Sequence, residues 1–225
     1  MWMGDVCRAP GRLAICRRVR RPLAVLLLTG AAACADEATA PVTDPPPGTS
    51  LPASQLTFVP VGRNTPTLAT STTSFWAKVG DNSEVRLYYR PRAGRTDSTE
   101  YLRFRVRNRS LLRRPDGSSF GPNDSLLITL RVTDPVALVV EFSPAGLLFD
   151  PNEPAELKLS FKERGGDLND DGRSDSSDDS VRTRLAIWKQ ESLGLPWVKL
   201  STTLVVGNDE VEARLTGFTS YAIAY

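Results

Sequence analysis

The stretch YLRFRVRNR, residues 101–109, alternates apolar and basic side chains without a break. Leu102, Phe104 and Val106 fall on one side of an extended chain, and Arg103, Arg105, Arg107 and Arg109 fall on the other. A period of two is the mark of a β-strand with one face against a core. Runs of the same kind recur to the end of the chain: FWAKV, EVRLYY, SLLITLRV, VALVVEFS, AELKLSF, RLAIWKQ, PWVKL, TTLVV, EVEARL and YAIAY. Pro91, Gly94, Asp116-Gly117, Gly121-Pro122 and Gly207-Asn208 punctuate them as turns. No window of eleven or more residues sustains a helical period. Residues 56–225 are therefore expected to form an all-β, antiparallel β-sandwich.

The first 33 residues follow a different rule. Arg17, Arg18, Arg20 and Arg21 form a basic block, Leu23 to Leu28 an apolar run, and Ala31 to Ala33 a small-residue exit before Cys34. That order is a secretory signal, and the apolar run is far short of the ~20 residues that span a bilayer. Small residues before a cysteine resemble the bacterial lipobox, with Ala31 where the commoner pattern has leucine. The resemblance implies a lipid on Cys34; the alternative is an ordinary signal cleaved near Ala33. All three cysteines (Cys7, Cys16, Cys34) lie at or before that point. Taking six arginines and one aspartate from totals of 28 basic and 26 acidic residues leaves 22 and 25, a net of −3. The basicity of the whole chain is thus a targeting feature and gives no reason to expect nucleic acid. Residues 34–55, rich in Pro, Thr, Ala and Ser, read as an extended, disordered tether from a bacterial envelope membrane, the outer membrane or cell surface being favoured.

Inventory narrows the chemistry. The chain contains no histidine, and the part after Cys34 contains no cysteine, so Ser-His-Asp and Cys-His catalysis and ordinary zinc sites have no residues to use. No phosphate loop of the GxxxxGKS or GxGxxG type occurs. Trp76, Trp188 and Trp197 suit either sugar stacking or core packing. The arginine row at 103, 105, 107 and 109 is either a face for an anionic polysaccharide or headgroup, or a solvated face paired with glutamates of neighbouring strands.

The most specific chemical feature is GGDLNDDGRSDSSDDS, residues 165–180, with six aspartates in sixteen positions. Asp167, Asn169, Asp171, Gly172, Arg173, Asp175 and Asp178 occupy positions 1, 3, 5, 6, 7, 9 and 12 of a calcium loop. Calcium takes six to eight hard oxygens, which alternate residues of a tight loop supply; position 7 contributes its backbone carbonyl, and position 9 often acts through water. Aspartate at position 12 makes the loop resemble dockerin repeats, DxNxDGxxDxxD. A strand-like segment precedes it, and only SDDSVRTR after it suits a short helix. The reading is one calcium loop inserted between two strands; the alternative is a polar connection that stays disordered.

The segment from EFSPAGLLFDPNEPAELKLSF to the C-terminus resembles the ZU5-like β-sandwich domains of bacterial surface proteins. Pro144, Gly146, Leu147, Phe149, Pro154, Ala155, Leu157, Leu159, Trp197, Leu200, Phe218, Tyr221 and Ala222 carry the match, over residues 137–225. Some relatives of that family cleave themselves at a His-Phe-Ser or His-Leu-Thr step. Gly217-Phe218-Thr219 stands there with a hydroxyl and no base, which implies no self-cleavage. The expected protein is a non-catalytic, calcium-stabilised envelope lipoprotein acting as a binding or structural module, its partners the membrane and an anionic polysaccharide or another envelope protein. An envelope glycan hydrolase with structural calcium and an accessory subunit pairing through a sheet edge fit the same inventory.

Overall fold

A computed structural model describes residues 44–225; the expected signal (1–33), Cys34 and the first residues of the expected tether lie outside the described residues. In chain order the strands are β1 (Ser50–Leu51), β2 (Thr72–Lys78), β3 (Ser83–Tyr88), β4 (Glu100–Val106), β5 (Leu111–Arg113), β6 (Ser125–Asp134), β7 (Val139–Ser143), β8 (Leu148–Phe149), β9 (Ala155–Ser160), β10 (Ala186–Gln190), β11 (Trp197–Lys199), β12 (Thr202–Val205), β13 (Glu210–Leu215) and β14 (Ser220–Ala224), with one helix, α1 (Ser176–Arg182), between β9 and β10. One sheet runs β1-β11-β10-β14-β7-β6-β2, a second β12-β13-β9-β4-β3, and β5-β8 form a small ribbon. Every pairing is antiparallel, so the chain is an all-β sandwich. Residues 44–225 belong to one compact unit.

The alternation decides which side chains meet between the sheets. Leu102, Phe104 and Val106 of β4, Leu157 and Leu159 of β9, Ile128 and Leu130 of β6 and Phe142 of β7 are all buried in one core. Phe104 sits at its centre, with ring centroids 4.8 Å from Phe142, 5.6 Å from Phe218 and 6.2 Å from both Phe75 and Phe149. The separations and tilted or edge-on angles are those favoured by ring quadrupoles. At the β3–β4 ladder Leu87 pairs with Leu102 but Tyr88 with Glu100, so Tyr101 is an extra residue. This bulge turns Tyr101 into the core beside Leu102, where its hydroxyl donates to the Leu138 carbonyl at 2.6 Å.

The outer face of the larger sheet is covered at one end, which alternation alone does not anticipate. Trp188 of β10 and Trp197 of β11 lie there with Ala186, Ala222 and Ala224, under Leu51, Leu56 and Phe58. Three alanines leave room for the Trp188 indole, whose Nε1 donates to the Ala224 carbonyl at 3.1 Å. Phe58 meets Trp197 edge-on at 5.1 Å. Part of the cover, Leu51, comes from the segment read as tether, and Leu56 and Phe58 follow directly after it. Gly48 N donates to the Lys199 carbonyl at 2.8 Å, Lys199 N to the Thr49 carbonyl at 2.9 Å, and Ser50 and Leu51 extend the sheet beside β11. Residues 44–55 are thus part of the folded unit, because a two-residue edge strand and one leucine find an apolar surface that the sequence placed far away.

Candidate functional site

The acidic segment 165–180 leaves β9 through a 3-10 turn (Lys162–Arg164) and ends in α1. Two apolar residues pin it: Leu168 and Val181 are both buried in the main core. Between them the chain folds back so tightly that a Cβ on Gly166 would lie 1.9 Å from Ser174 Oγ, a separation only glycine avoids. Gly172 has φ +84° and Asp170 φ +64°, so the turn at the loop's middle is left-handed at both.

Side chains of the loop are turned onto its own backbone. Asp175 caps α1, its Oδ1 accepting from Ser177 N at 2.9 Å, while Asp178 Oδ2 accepts from Asp175 N at 2.9 Å. This is a reciprocal capping box that satisfies helix-end donors. Asp178 is buried, and its Oδ1 takes two more N–H groups, Leu168 at 2.6 Å and Asn169 at 3.2 Å. The Asp175 N–H, then those of Leu168 and Asn169 and the charge of Arg164, hold its carboxyl below the ordinary value against the opposing effect of burial. Asn169 Oδ1 accepts from Asp171 N at 3.1 Å, and Asp171 Oδ1 from Arg173 N at 2.9 Å. Asp167 Oδ2 accepts from Gly172 N at 3.1 Å. Its other oxygen, Oδ1, is buried and has no hydrogen-bond partner.

Positions 1 and 6 of the expected calcium loop are therefore joined through Asp167 and Gly172, and α1 begins at position 10. Asp178, at position 12, lies beneath the loop against positions 2 and 3. Asp171 and Asp175 instead spend their oxygens on N–H groups nearer in sequence, and Arg173 is exposed. Among the described residues no three acidic side chains stand close enough together to hold an ion. The donor set is nonetheless hard oxygen throughout, and Asp167 Oδ1 is a buried acceptor that a cation would satisfy. Sequence reasoning missed Arg164. Its side chain is 4% exposed and its Nη2 lies 2.8 Å from Asp170 Oδ1, so the turn before the loop already brings one buried cation to it. The Arg164 Nε and Nη2 atoms, like Asp167 Oδ1, are buried without a hydrogen-bond partner.

The arginine row has a different environment from an open anion site. Arg103 bonds Glu100 at 2.9 Å, Arg105 bonds Glu84 at 2.8 Å, Arg107 bonds Glu156, and Arg109 lies 3.3 Å from Glu153. Glu84, Glu100 and Glu156 belong to β3, β4 and β9, so register alone brings most of the partners alongside. Lys158 and Glu212 continue the lattice at 3.0 Å. Each of the four arginines thus faces a carboxylate, and the face is a mixed charge lattice.

The tryptophans divide. Trp188 and Trp197 are core residues, whereas Trp76 is 63% exposed on β2. Thr219 is buried and its hydroxyl donates to the Gln190 carbonyl, while Tyr221 donates to the Gly217 carbonyl at 2.6 Å. The segment Gly217–Thr219 is in this way fastened at both ends. No protein-family model, no curated protein and no solved structure matches the chain.

Proposed function

We propose that this protein is a non-catalytic module of a bacterial cell envelope, held to its membrane by a lipid on Cys34, with a ZU5-like sandwich stabilised by calcium in the 165–180 loop. The observation that carries the calcium reading is Asp167: one carboxylate oxygen is fixed by the Gly172 N–H, and the other is buried without a partner. A buried acceptor left unpaired costs about 1–3 kcal/mol, more when charged, and a hard cation removes that cost. Asn169, Asp171, Asp175 and Asp178 and the Arg173 carbonyl lie in the same loop as further oxygens, Asp178 exchanging backbone N–H groups for the ion. In support of the ZU5-like reading, Leu147, Phe149, Ala155, Leu157, Leu159, Trp197, Phe218, Tyr221 and Ala222 of the matching motif are all buried.

If the ion binds only the folded state, free calcium at about 100 times the dissociation constant stabilises residues 42–225 by about 2.7 kcal/mol. Melting temperature then rises by roughly 5–11 °C for a unit of this size. Magnesium gives a much smaller shift, because it demands a compact octahedral shell. Asp167→Ala with Asp171→Ala abolishes the calcium shift and leaves the sandwich folded. The measurement is thermal melting in chelator and then in millimolar calcium, with calorimetric titration; identical curves and no heat in the wild type refute the reading. The anchor is tested apart from the metal: Cys34→Ser releases the protein from detergent-phase membranes or leaves it unprocessed, and a soluble, unacylated wild type overturns it.

A further inference from the structure

We infer that the free edge of β2 is a self-association surface, on which a second copy of this chain pairs its own β2 antiparallel across a two-fold axis. The larger sheet ends at β2, whose register with β6 is unbroken from Thr72↔Arg131 to Lys78↔Ser125. Val132 N donates to the Ser71 carbonyl and Val79 N to the Asp124 carbonyl, both at 2.8 Å. The odd-numbered residues of β2 thus bond to β6, and the even-numbered ones aim their N–H and C=O groups away from it. Thr72 is occupied by the Thr70 hydroxyl and the Lys78 carbonyl by Asp81 N. Among the described residues Ser74 and Trp76 keep both backbone groups open.

The other sheet ends among the described residues are blunted. β1 has two residues and β12 four. β3 carries Glu84 and Arg86, and its end is closed by residues 67–69, with Ala69 N on the Tyr88 carbonyl and Arg90 N on the Thr67 carbonyl, both at 2.8 Å. β2 is long, regular, free of proline and charged only at Lys78, which lacks most of the devices that keep edges apart.

Its side chains are complementary to themselves. In the register that sets Ser74 of one copy against Trp76 of the other, two symmetry-related pairs exchange backbone hydrogen bonds and Phe75 faces its own copy directly. Phe75 points inward, stacks edge-on to Phe104 at 6.2 Å, and is only half-buried, because among the described residues no strand pairs beyond β2. On the outer face Trp76 pairs with Leu127, 43% exposed, within the same chain. Trp76 of one copy lies diagonal to Trp76 of the other, about 7–8 Å away and within reach of an aromatic ring. Lys78 meets Thr72, so no like charges oppose each other. Seven residues at ~3.3 Å along a two-layer edge ~20 Å deep give roughly 900 Å² in total, below the ~1,200 Å² of a standard interface. The dimer is therefore a weak, reversible one.

The test is sedimentation equilibrium of residues 42–225 from 5 µM to 1 mM. The wild type is expected to shift from monomer to dimer across that range, and Trp76→Lys to weaken association at least ten-fold with an unchanged melting curve. Residues 42–225 contain no cysteine, so Thr72→Cys with Lys78→Cys reports register. These two lie opposite each other in the stated pairing, flanking the bonded Ser74–Trp76 pairs, which places their Cα atoms within the roughly 4.4–6.8 Å a disulfide spans, and mild oxidation gives a covalent dimer. A wild type that stays monomeric at 1 mM overturns the inference and leaves the edge to some other strand. So does a dimer indifferent to Trp76→Lys, or a cysteine pair that never crosslinks.

Discussion

Lys199 of β11 lies with its side chain 6% exposed, and its Nζ donates to both oxygens of Asp44 at 2.6 and 2.7 Å. The pair joins the first described residue to the sheet 155 positions on, so it tests whether residues 44–55 belong to the fold. Breaking a fully buried pair by removing one partner costs about 3–5 kcal/mol, because a charge is left without its counter-ion. Asp44 is 44% exposed, so water reaches this pair and screens it. The expected loss for Asp44→Ala is therefore smaller, about 1–2 kcal/mol, or roughly 2–8 °C in melting temperature. Lys199→Met keeps the apolar stem under the strap and removes the stranded charge, so it is expected to cost less than Asp44→Ala. In the double variant Asp44→Ala then has almost no effect of its own, which gives a coupling close to the whole single-variant loss. Urea unfolding of the four chains, read by tryptophan fluorescence from Trp188 and Trp197 beneath the strap, measures it. A coupling indistinguishable from zero would falsify the placement of residues 44–51 on β11.

Two further outcomes follow from the core and the loop. Phe104→Ala deletes the ring shared by four aromatic neighbours and is expected to cost about 3–5 kcal/mol, against under about 1.5 kcal/mol for the volume-sparing Leu102→Met beside it; denaturant midpoints at constant slope separate them. Asp178 has a folded pKa below its unfolded one, so the stability it contributes is present above the unfolded value near 4 and is lost as pH falls through the folded value. Asp178→Asn points an amide at backbone donors, so it is expected to destabilise at pH 6 and to flatten the acid limb of stability between pH 2 and 5. Parallel wild-type and variant profiles would remove Asp178 from that limb.

How much of this was legible in the sequence depends on which interaction decides each element. β2, β3, β4, β6, β9 and β13 follow alternation closely, because burial of one face is a local pattern repeated along each run. The double burial of β14 also had a signal, since YAIAY lacks the polar positions that YLRFRVRNR shows. The strap had none. Pro46, Pro47 and the neighbouring threonines describe a chain that folds poorly alone, and only the apolar ground around Trp188 and Trp197 recruits Leu51. β5 and β8 are two or three residues long and exist because Leu111 and Phe149 meet across a register, a contact no local window contains. In the acidic loop the spacing was legible, but the competition for each oxygen was not. Asp175 and Asp178 serve α1 as a capping box, and the same two positions fit the spacing of a calcium loop, so one sequence pattern admits two physical readings.

The arginine row and β2 show why alternation stops short of function. In both, one face of a strand is apolar and the other polar, and the pattern is silent about what lies alongside. Strand order sets β4 between β3 and β9, so glutamates of all three reach its arginines and Arg103, Arg105 and Arg107 end in ion pairs. Strand order also sets β2 last, and among the described residues Trp76 stays largely exposed. A charged row in the middle of a sheet is thus satisfied within the chain, whereas an uncharged row at its margin keeps open backbone groups beside an exposed indole. For two strands with equally regular patterns, position in the sheet decides which one is left with unmet interactions. By that reasoning the capacity to associate lies at the β2 edge, away from the most highly charged face.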